Sequence, residues 1–322
     1  MLSVQDLTVS VITGKTPLDI TRNVSFELNK GEILGVVGES GCGKSMTALA
    51  IMGLLPKTTI TVRSGRVLLD DQDVTHLEPY QRVDAGLSGI SMIFQEPMTS
   101  LNPVMQIGDQ IIEALLVHDR GNLRAPEARA KKLLDLVHIP DAAMQLKAYP
   151  HELSGGMRQR IMIAIALACN PQVLIADEPT TALDVTIQAE ILNLLKELCE
   201  EFSMAVLFIT HNLGVVAQLA DRVSVMYAGQ IVETAPVEVL FEHPVHPYTH
   251  GLFSCLPDPT KRAELLQPIP GQAPLITEIT DGCAFAPRCK FKTSVCLSGS
   301  IDWTSFSAGH KARCHHPLKD QN

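Results

Sequence analysis

Apolar residues gather in this chain in two ways. Ile33-Leu34-Gly35-Val36-Val37, Ile90-Ser91-Met92-Ile93-Phe94, Val173-Leu174-Ile175-Ala176 and Ala205-Val206-Leu207-Phe208-Ile209-Thr210 are apolar at almost every position. A strand covered on one face alternates with polar residues, whereas a strand covered on both faces does not. These runs therefore predict fully buried parallel strands, with a last strand near Arg222 to Met226. Between them, Met46 to Leu55, Gly108 to His118, Pro126 to His138, Met157 to Ala168 and Ile187 to Phe202 read as helices. Residues 1 to about 30 differ, because Val9, Val11, Val24, Phe26 and Leu28 alternate with polar neighbours. That pattern predicts a small antiparallel sheet. Beyond residue 236 proline, histidine and short apolar groups dominate, which predicts an extended arm to about 280 with one short helix around Tyr248 to Cys255.

A polar element follows each of the four buried runs. Gly38-Glu39-Ser40-Gly41-Cys42-Gly43-Lys44-Ser45 follows the first, and Gln95 the second. Asp177-Glu178 follows the third and His211 the fourth. In open α/β sheets ligands bind outside the carboxyl ends of the strands, so these elements are expected to form one site. The glycine-rich segment, leading into a helix at Met46, suits a phosphate cradle. Its backbone N–H groups turn inward, Lys44 adds positive charge for β- and γ-phosphates, and the Ser45 hydroxyl is a Mg²⁺ ligand. Asp177 is a hard oxygen donor for Mg²⁺, acting through water. Glu178 is placed to polarise a water for in-line attack on a γ-phosphate. Gln95 can bridge metal and water, and His211 can donate to the γ-phosphate. A second anion-facing element, Ser154-Gly155-Gly156, opens the helix that begins near Met157. Two phosphate-facing elements in one chain suggest that two chains share each nucleotide.

Bulk properties narrow the class. The chain has 322 residues, 46% of them hydrophobic, yet no apolar run approaches a membrane span, and the N-terminus lacks a signal-peptide pattern. The formal net charge of −9 argues against general nucleic-acid binding, which rests on phosphate neutralisation by Lys and Arg. A cytoplasmic protein that meets a membrane only through partners is expected.

Of the 8 cysteines, Cys42, Cys169, Cys199 and Cys255 are scattered and read as small packing residues. The Cys42 thiol, at a helix N-terminus, is also expected to be alkylation-sensitive. Cys283, Cys289, Cys296 and Cys314 instead crowd into a loop-like tail, separated by five, six and seventeen residues. Cytosolic disulfides are disfavoured. Four thiolates suit zinc or an iron–sulfur cluster, and the absence of a C-x₂₋₄-C knuckle points away from zinc. Three states stay open: a cluster wrapped by the loop, zinc aided by His310, His315 or His316, and unliganded thiols.

The order and spacing of the phosphate loop, Gln95, Leu153-Ser154-Gly155-Gly156, Asp177-Glu178, Ala182-Leu183-Asp184 and His211 resemble the nucleotide-binding subunit of an ATP-binding cassette (ABC) transporter, over residues 2 to 235. Glu96-Pro97-Met98-Thr99-Ser100-Leu101-Asn102-Pro103, His246-Pro247-Tyr248-Thr249 and the cysteine tail resemble the dipeptide/oligopeptide and nickel-peptide importer branch. The resemblance implies a P-loop NTPase cassette: a RecA-like α/β core, an antiparallel β subdomain, a helical signature subdomain over about 96–165, and a C-terminal extension over 236–322. It implies ATP and Mg²⁺ as ligands, held by residues 38–46 (including Glu39, Ser40, Cys42 and Met46), with Ser154, Gly155, Gly156 and Asp184 serving the partner's nucleotide. It implies a [4Fe-4S] cluster on the four tail cysteines. Implied partners are a second cassette (a paralogue), two permease subunits and an extracytoplasmic solute-binding protein, at the cytoplasmic face of the inner membrane. Residues 96–110 would relay the nucleotide state to the permease.

Two departures stand out. No aromatic residue lies in 15–23 to stack on adenine, Leu18 being the nearest apolar candidate, and the signature ends in Met157 where the family has Gln. The expected function is an ATPase motor for di- or oligopeptide import. Alternatives are the same machinery for nickel, opines, glutathione or antimicrobial peptides, a cassette ATPase acting on nucleic acid or ribosomes, and a non-catalytic cassette.

Overall fold

A computed structural model describes residues 1–13, 16–85, 87, 89–95, 100–118, 124–181, 183–255, 268–279 and 281–318. Two sheets organise them. The first is antiparallel, with strand order β2-β1-β4-β5, from β1 (Leu2–Thr13), β2 (Thr16–Leu28), β4 (Ile60–Leu69) and β5 (Gln72–Asp73). The alternation in residues 1–30 thus predicted the first two strands, and β4 and β5 complete that sheet.

The second sheet carries the buried runs: β3 (Ile33–Val37), β6 (Ile90–Ile93), β7 (Val173–Asp177), β8 (Ala205–Thr210), β9 (Arg222–Tyr227), β10 (Gln230–Pro236), β11 (Thr304–Ser307) and β12 (His310–Ala312). Its order is β11-β12-β10-β9-β3-β8-β7-β6, and the β9-β3-β8-β7-β6 pairs are parallel. Period-two geometry explains the unbroken apolar runs. In β8, Val206 and Phe208 join the core on the helical face, while Ala205, Leu207 and Ile209 join the core under the antiparallel sheet. Ile33 and Val37 of β3 face the first core, and Leu34 and Val36 the second.

Helices cover the sheet: α1 (Lys44–Met52), α2 (Pro79–Asp84), α3 (Ile107–His118), α4 (Pro126–Leu136), α5 (Ala142–Gln145), α6 (Gly155–Leu167), α7 (Val185–Phe202), α8 (Leu213–Leu219), α9 (Val237–Glu242) and α10 (Pro247–Ser254). α3, α4 and α6 pack on one another, as the helix-rich stretch predicted. Of the expected relay segment, residues 96–99 lie outside the described residues, as does Ala182. Among the described residues no helix is long and apolar enough to cross a membrane.

The tail departs from expectation. α9 interrupts the predicted extended arm, and the segment read as loop-like forms the β11–β12 hairpin. That hairpin pairs antiparallel with β10 and extends the main sheet. Short strands exposed at every position, as β11 is, lack the periodicity by which strands are recognised.

Candidate nucleotide site

The strand order sets the four polar elements side by side. β3, β8, β7 and β6 are neighbours, so the phosphate loop, His211, Asp177-Glu178 and Gln95 all emerge from one edge of the sheet.

The phosphate loop is shaped by two close constraints. A side chain at Gly38 would stand 2.1 Å from the Met226 carbonyl oxygen, and Gly43 caps α1 with a φ of +106°, a conformation that favours glycine. Lys44 is buried, and its Nζ donates to the Gly38 and Glu39 carbonyl oxygens at 2.8 and 3.1 Å. The ammonium thus sits inside the ring of backbone that a polyphosphate would enter. Ser40 and Gly41 are exposed, and Met46 is half-buried against the core beneath the antiparallel sheet.

Cys42 corrects an expectation. It is 5% exposed, and burial pushes its thiol up despite the Lys44 charge beside it. Burial thus opposes the effect of the helix N-terminus on this thiol. Iodoacetamide at pH 7.5 is expected to label Cys42 at least about tenfold more slowly than a free cysteine peptide, as read by mass spectrometry.

Asp177 is buried at the end of β7, with Ser45 close enough to favour its charged form. Among the described residues its Oδ1 is buried without a hydrogen-bond partner, and burial pushes its carboxyl above the ordinary value, with the neighbouring Glu178 charge adding. An orphaned carboxylate oxygen beside a hydroxyl is a donor set that fits Mg²⁺.

Glu178 has a φ of +48°, a left-handed backbone that costs a non-glycine residue about 1–2 kcal/mol. Strain of this kind is tolerated where a side chain must be aimed. Its carboxylate gathers three partners: Gln95 Nε2 at 3.2 Å, Thr181 Oγ1 at 3.0 Å and His211 Nδ1 at 2.9 Å. Burial works to raise its pKa, but the hydrogen bonds from His211 and Thr181 and the nearby positive charges outweigh it. The group sits below its ordinary value. An ionised carboxylate only accepts, so His211 Nδ1 carries the proton. Donation from His211 to a phosphate then needs the imidazolium or release from Glu178. The sequence assigned Thr181 no part in holding Glu178; its signal was its place three residues after Glu178.

The signature lies elsewhere. Ser154 caps α6, accepting from the Met157 N–H at 3.3 Å, and Asp184 caps α7, accepting from the Ile187 N–H at 2.9 Å. The two caps are neighbours: a Cβ on Gly155 would lie 3.8 Å from Leu183, and one on Gly156 2.8 Å from Ile187. Ser154, Gly155, Asp184 and Val185 are all exposed there. Leu18, the expected adenine neighbour, is half-buried in β2 opposite Val11.

Cys283, Cys289, Cys296 and Cys314 line one small pocket with His246, His315 and His316, and all are free thiols. The expected metal centre is not assembled there, since no three His, Cys, Asp or Glu among the described residues are grouped to hold a metal ion. Burial pushes up the thiols of Cys283, Cys289 and Cys314, the last to about 12. Neutral thiols have no electrostatic reason to converge on one point. The donor set still suits a soft metal group in kind: four sulfurs, with the Phe291 N–H donating to Cys289 Sγ at 3.4 Å. His310 takes no part, because its Nε2 bonds buried Glu233 at 2.8 Å.

Comparison with known proteins gives the family. Residues 21–181 match the family model described as ABC transporter, and residues 232–296 the oligopeptide/dipeptide transporter C-terminal region. The oligopeptide transport ATP-binding protein AppD of Bacillus subtilis is 46% identical over 98% of this chain and 96% of its own length. The dipeptide transport ATP-binding protein DppD of Bacillus subtilis is 48% identical over 100% and 95%. Its Escherichia coli namesake is 44% identical over 99% and 98%. Among solved structures, the dimeric cassette MJ0796 in a post-hydrolysis state with ADP and Pi superposes with a TM-score of 0.63 at 27% identity, covering 74% of this chain and 99% of that one. With a phosphate loop, an acidic pair and a histidine at adjacent strand ends, and with relatives aligned along nearly its whole length, the chain belongs to the ABC transporter family as one of its ATP-hydrolysing subunits.

Proposed function

We propose that this subunit drives the import of di- or oligopeptides through membrane permease subunits. The observation that carries the reading is near full-length similarity to dipeptide and oligopeptide transport ATP-binding proteins, extending through the C-terminal region. ATP binds with its phosphates in the loop 38–46 and its γ-phosphate toward Gln95, Glu178 and His211. Ser45, Gln95 and Asp177 would hold Mg²⁺, which supplies charge neutralisation at the phosphates. Glu178, ionised and aimed by three hydrogen bonds, takes the proton of the attacking water. The exposed Ser154-Gly155 and Asp184 caps face the nucleotide of a second cassette, so that ATP closes a dimer and hydrolysis reopens it. The cassette spans 1–235, with its helical subdomain near 96–165, and 236–322 form the extension. The assembly sits at the cytoplasmic face of the inner membrane with a paralogous cassette, two permeases and a solute-binding protein. Affinity purification of the tagged Glu178→Gln chain from solubilised native membranes with ATP tests this. Two permease-like proteins and a second cassette are expected; nucleic acid or ribosomal proteins instead would overturn it.

The four tail cysteines belong to the same reading as the ligands of a [4Fe-4S] cluster that pins the extension. Their shared pocket and the N–H···S contact support it. Anaerobically purified protein should contain about four iron and four acid-labile sulfide per chain, and Cys296→Ser should lose most of both. Stoichiometric zinc, or neither metal, would sink the assignment.

A further inference from the structure

The phosphate loop is gripped from the far end of the chain. The Glu39 N–H donates to Tyr248 Oη at 3.1 Å, and Arg288 Nη1 donates to both Glu39 carboxylate oxygens at 3.0 and 2.9 Å. Tyr248 lies on α10, and Arg288 immediately precedes Cys289. Arg288 has little freedom. Its side chain is 7% exposed, its Nε donates to the Pro270 carbonyl at 3.0 Å, and its Nη1 also reaches Tyr227 Oη at 3.3 Å. The guanidinium lies over the rings of Tyr227 and Phe285, 5.8 and 5.9 Å from their centroids. Tyr227, Tyr248 and Phe285 in turn pack ring against ring at 4.5 to 5.4 Å.

Glu39 is an awkward residue for a loop that receives polyphosphate. It brings a negative charge to a site whose ligand is an anion, and like charges at close range oppose binding. The Glu39 carbonyl also accepts from Lys44 Nζ, so the residue that carries this charge helps to place the ammonium. Arg288 meets both requirements at once, because its Nη1, seated between the two carboxylate oxygens, neutralises the carboxylate and fixes its position.

We infer that Arg288 is a positioning residue for nucleotide binding: it neutralises Glu39 and holds the phosphate loop in its receptive form. The C-terminal region thereby sets the ATP affinity of its own chain. The inference rests on reading residues 38–46 as the ATP cradle.

The test is MgATP binding by the full chain, with Kd and kcat measured separately for Arg288→Ala, Arg288→Lys and the Arg288→Ala/Glu39→Gln pair. Arg288→Ala should raise Kd and KM by about 10- to 100-fold, the scale of a lost charge-assisted hydrogen bond, with kcat within about threefold. Arg288→Lys should recover part of the loss. Removing the stranded carboxylate in the double variant should restore most of the affinity. A role confined to fold stability would lower Tm and leave Kd unchanged. An Arg288→Ala chain within twofold of wild-type Kd would overturn the inference. So would a double variant that folds like wild type yet binds as weakly as Arg288→Ala or more than about tenfold more weakly than wild type, an arm that stands even if Arg288→Ala folds poorly. Failure of the wild-type chain to bind MgATP would instead strike at the cradle reading.

Discussion

Glu178→Gln is expected to lower ATP turnover by about 10²- to 10⁴-fold while MgATP affinity stays near wild type. The amide keeps the side chain's size and can still engage His211 and Thr181, but it cannot take a proton from water. Because the wild-type carboxyl is held below its ordinary value, Glu178 remains a base throughout the neutral range. The acid limb of the turnover profile attributable to this group therefore falls below the usual carboxylate range. With hydrolysis blocked and binding intact, the ATP-closed dimer should accumulate, visible by size-exclusion chromatography. Turnover within tenfold of wild type would remove Glu178 from the base role, and His211 would become the residue to vary next.

Asp177→Asn should be nearly as damaging to activity and opposite in its effect on stability. Charge stabilisation by a bound divalent cation is worth several kcal/mol, so losing its carboxylate anchor should cost about 10²-fold or more in Mg²⁺-dependent turnover. The stability effect follows from the raised pKa. A buried Asp that binds its proton more readily folded than unfolded penalises the fold once pH exceeds the unfolded value, and fully above the folded value. At pH 7, above the ordinary carboxylate range, the nucleotide-free wild type carries a penalty that the Asn variant does not. Its Tm without nucleotide and metal should therefore exceed that of wild type, with the advantage shrinking as pH falls into the acid range. Added MgATP should stabilise wild type and not the variant. A lower Tm for the variant at pH 7 would show that the unpartnered Oδ1 is not a liability.

The two experiments address neighbouring residues that burial treats differently. Asp177 sits at the buried end of β7 with one oxygen unpartnered, whereas Glu178, one residue on, swings through a left-handed backbone into three hydrogen bonds. In the proposed mechanism one serves as a metal anchor and the other as a base, and a single step along the chain separates them.

How much of this was legible beforehand depends on how local each signal is. The buried strands announced themselves as apolar runs because a strand covered on both faces has no polar side to show. The phosphate loop was legible because its glycines answer backbone constraints within a few residues, as at Gly38 and Gly43. The polar residue after each run marked a strand end, and strand ends are where α/β sheets bind ligands. The helix starts at Ser154 and Asp184 followed the same local logic, since a capping side chain bonds an N–H three residues on. The sequence by itself thus determined the buried strands of the core, its principal helices and the family.

Only the tertiary structure decided which of these groups touch. The order β3-β8-β7-β6 brings Gln95 and His211 onto Glu178 from 83 and 33 residues away, and no periodicity encodes that adjacency. The exposed hairpin of the tail gained its strands by pairing with β10, an edge that the tail's own composition does not reveal. Burial, not the helix N-terminus, set the character of Cys42. The contact between Arg288 and Glu39 spans 249 residues, and each partner alone reads as an ordinary surface charge. Such pairs arise when the folded chain closes a loop and excludes water around two opposite charges, and both events belong to the packed molecule.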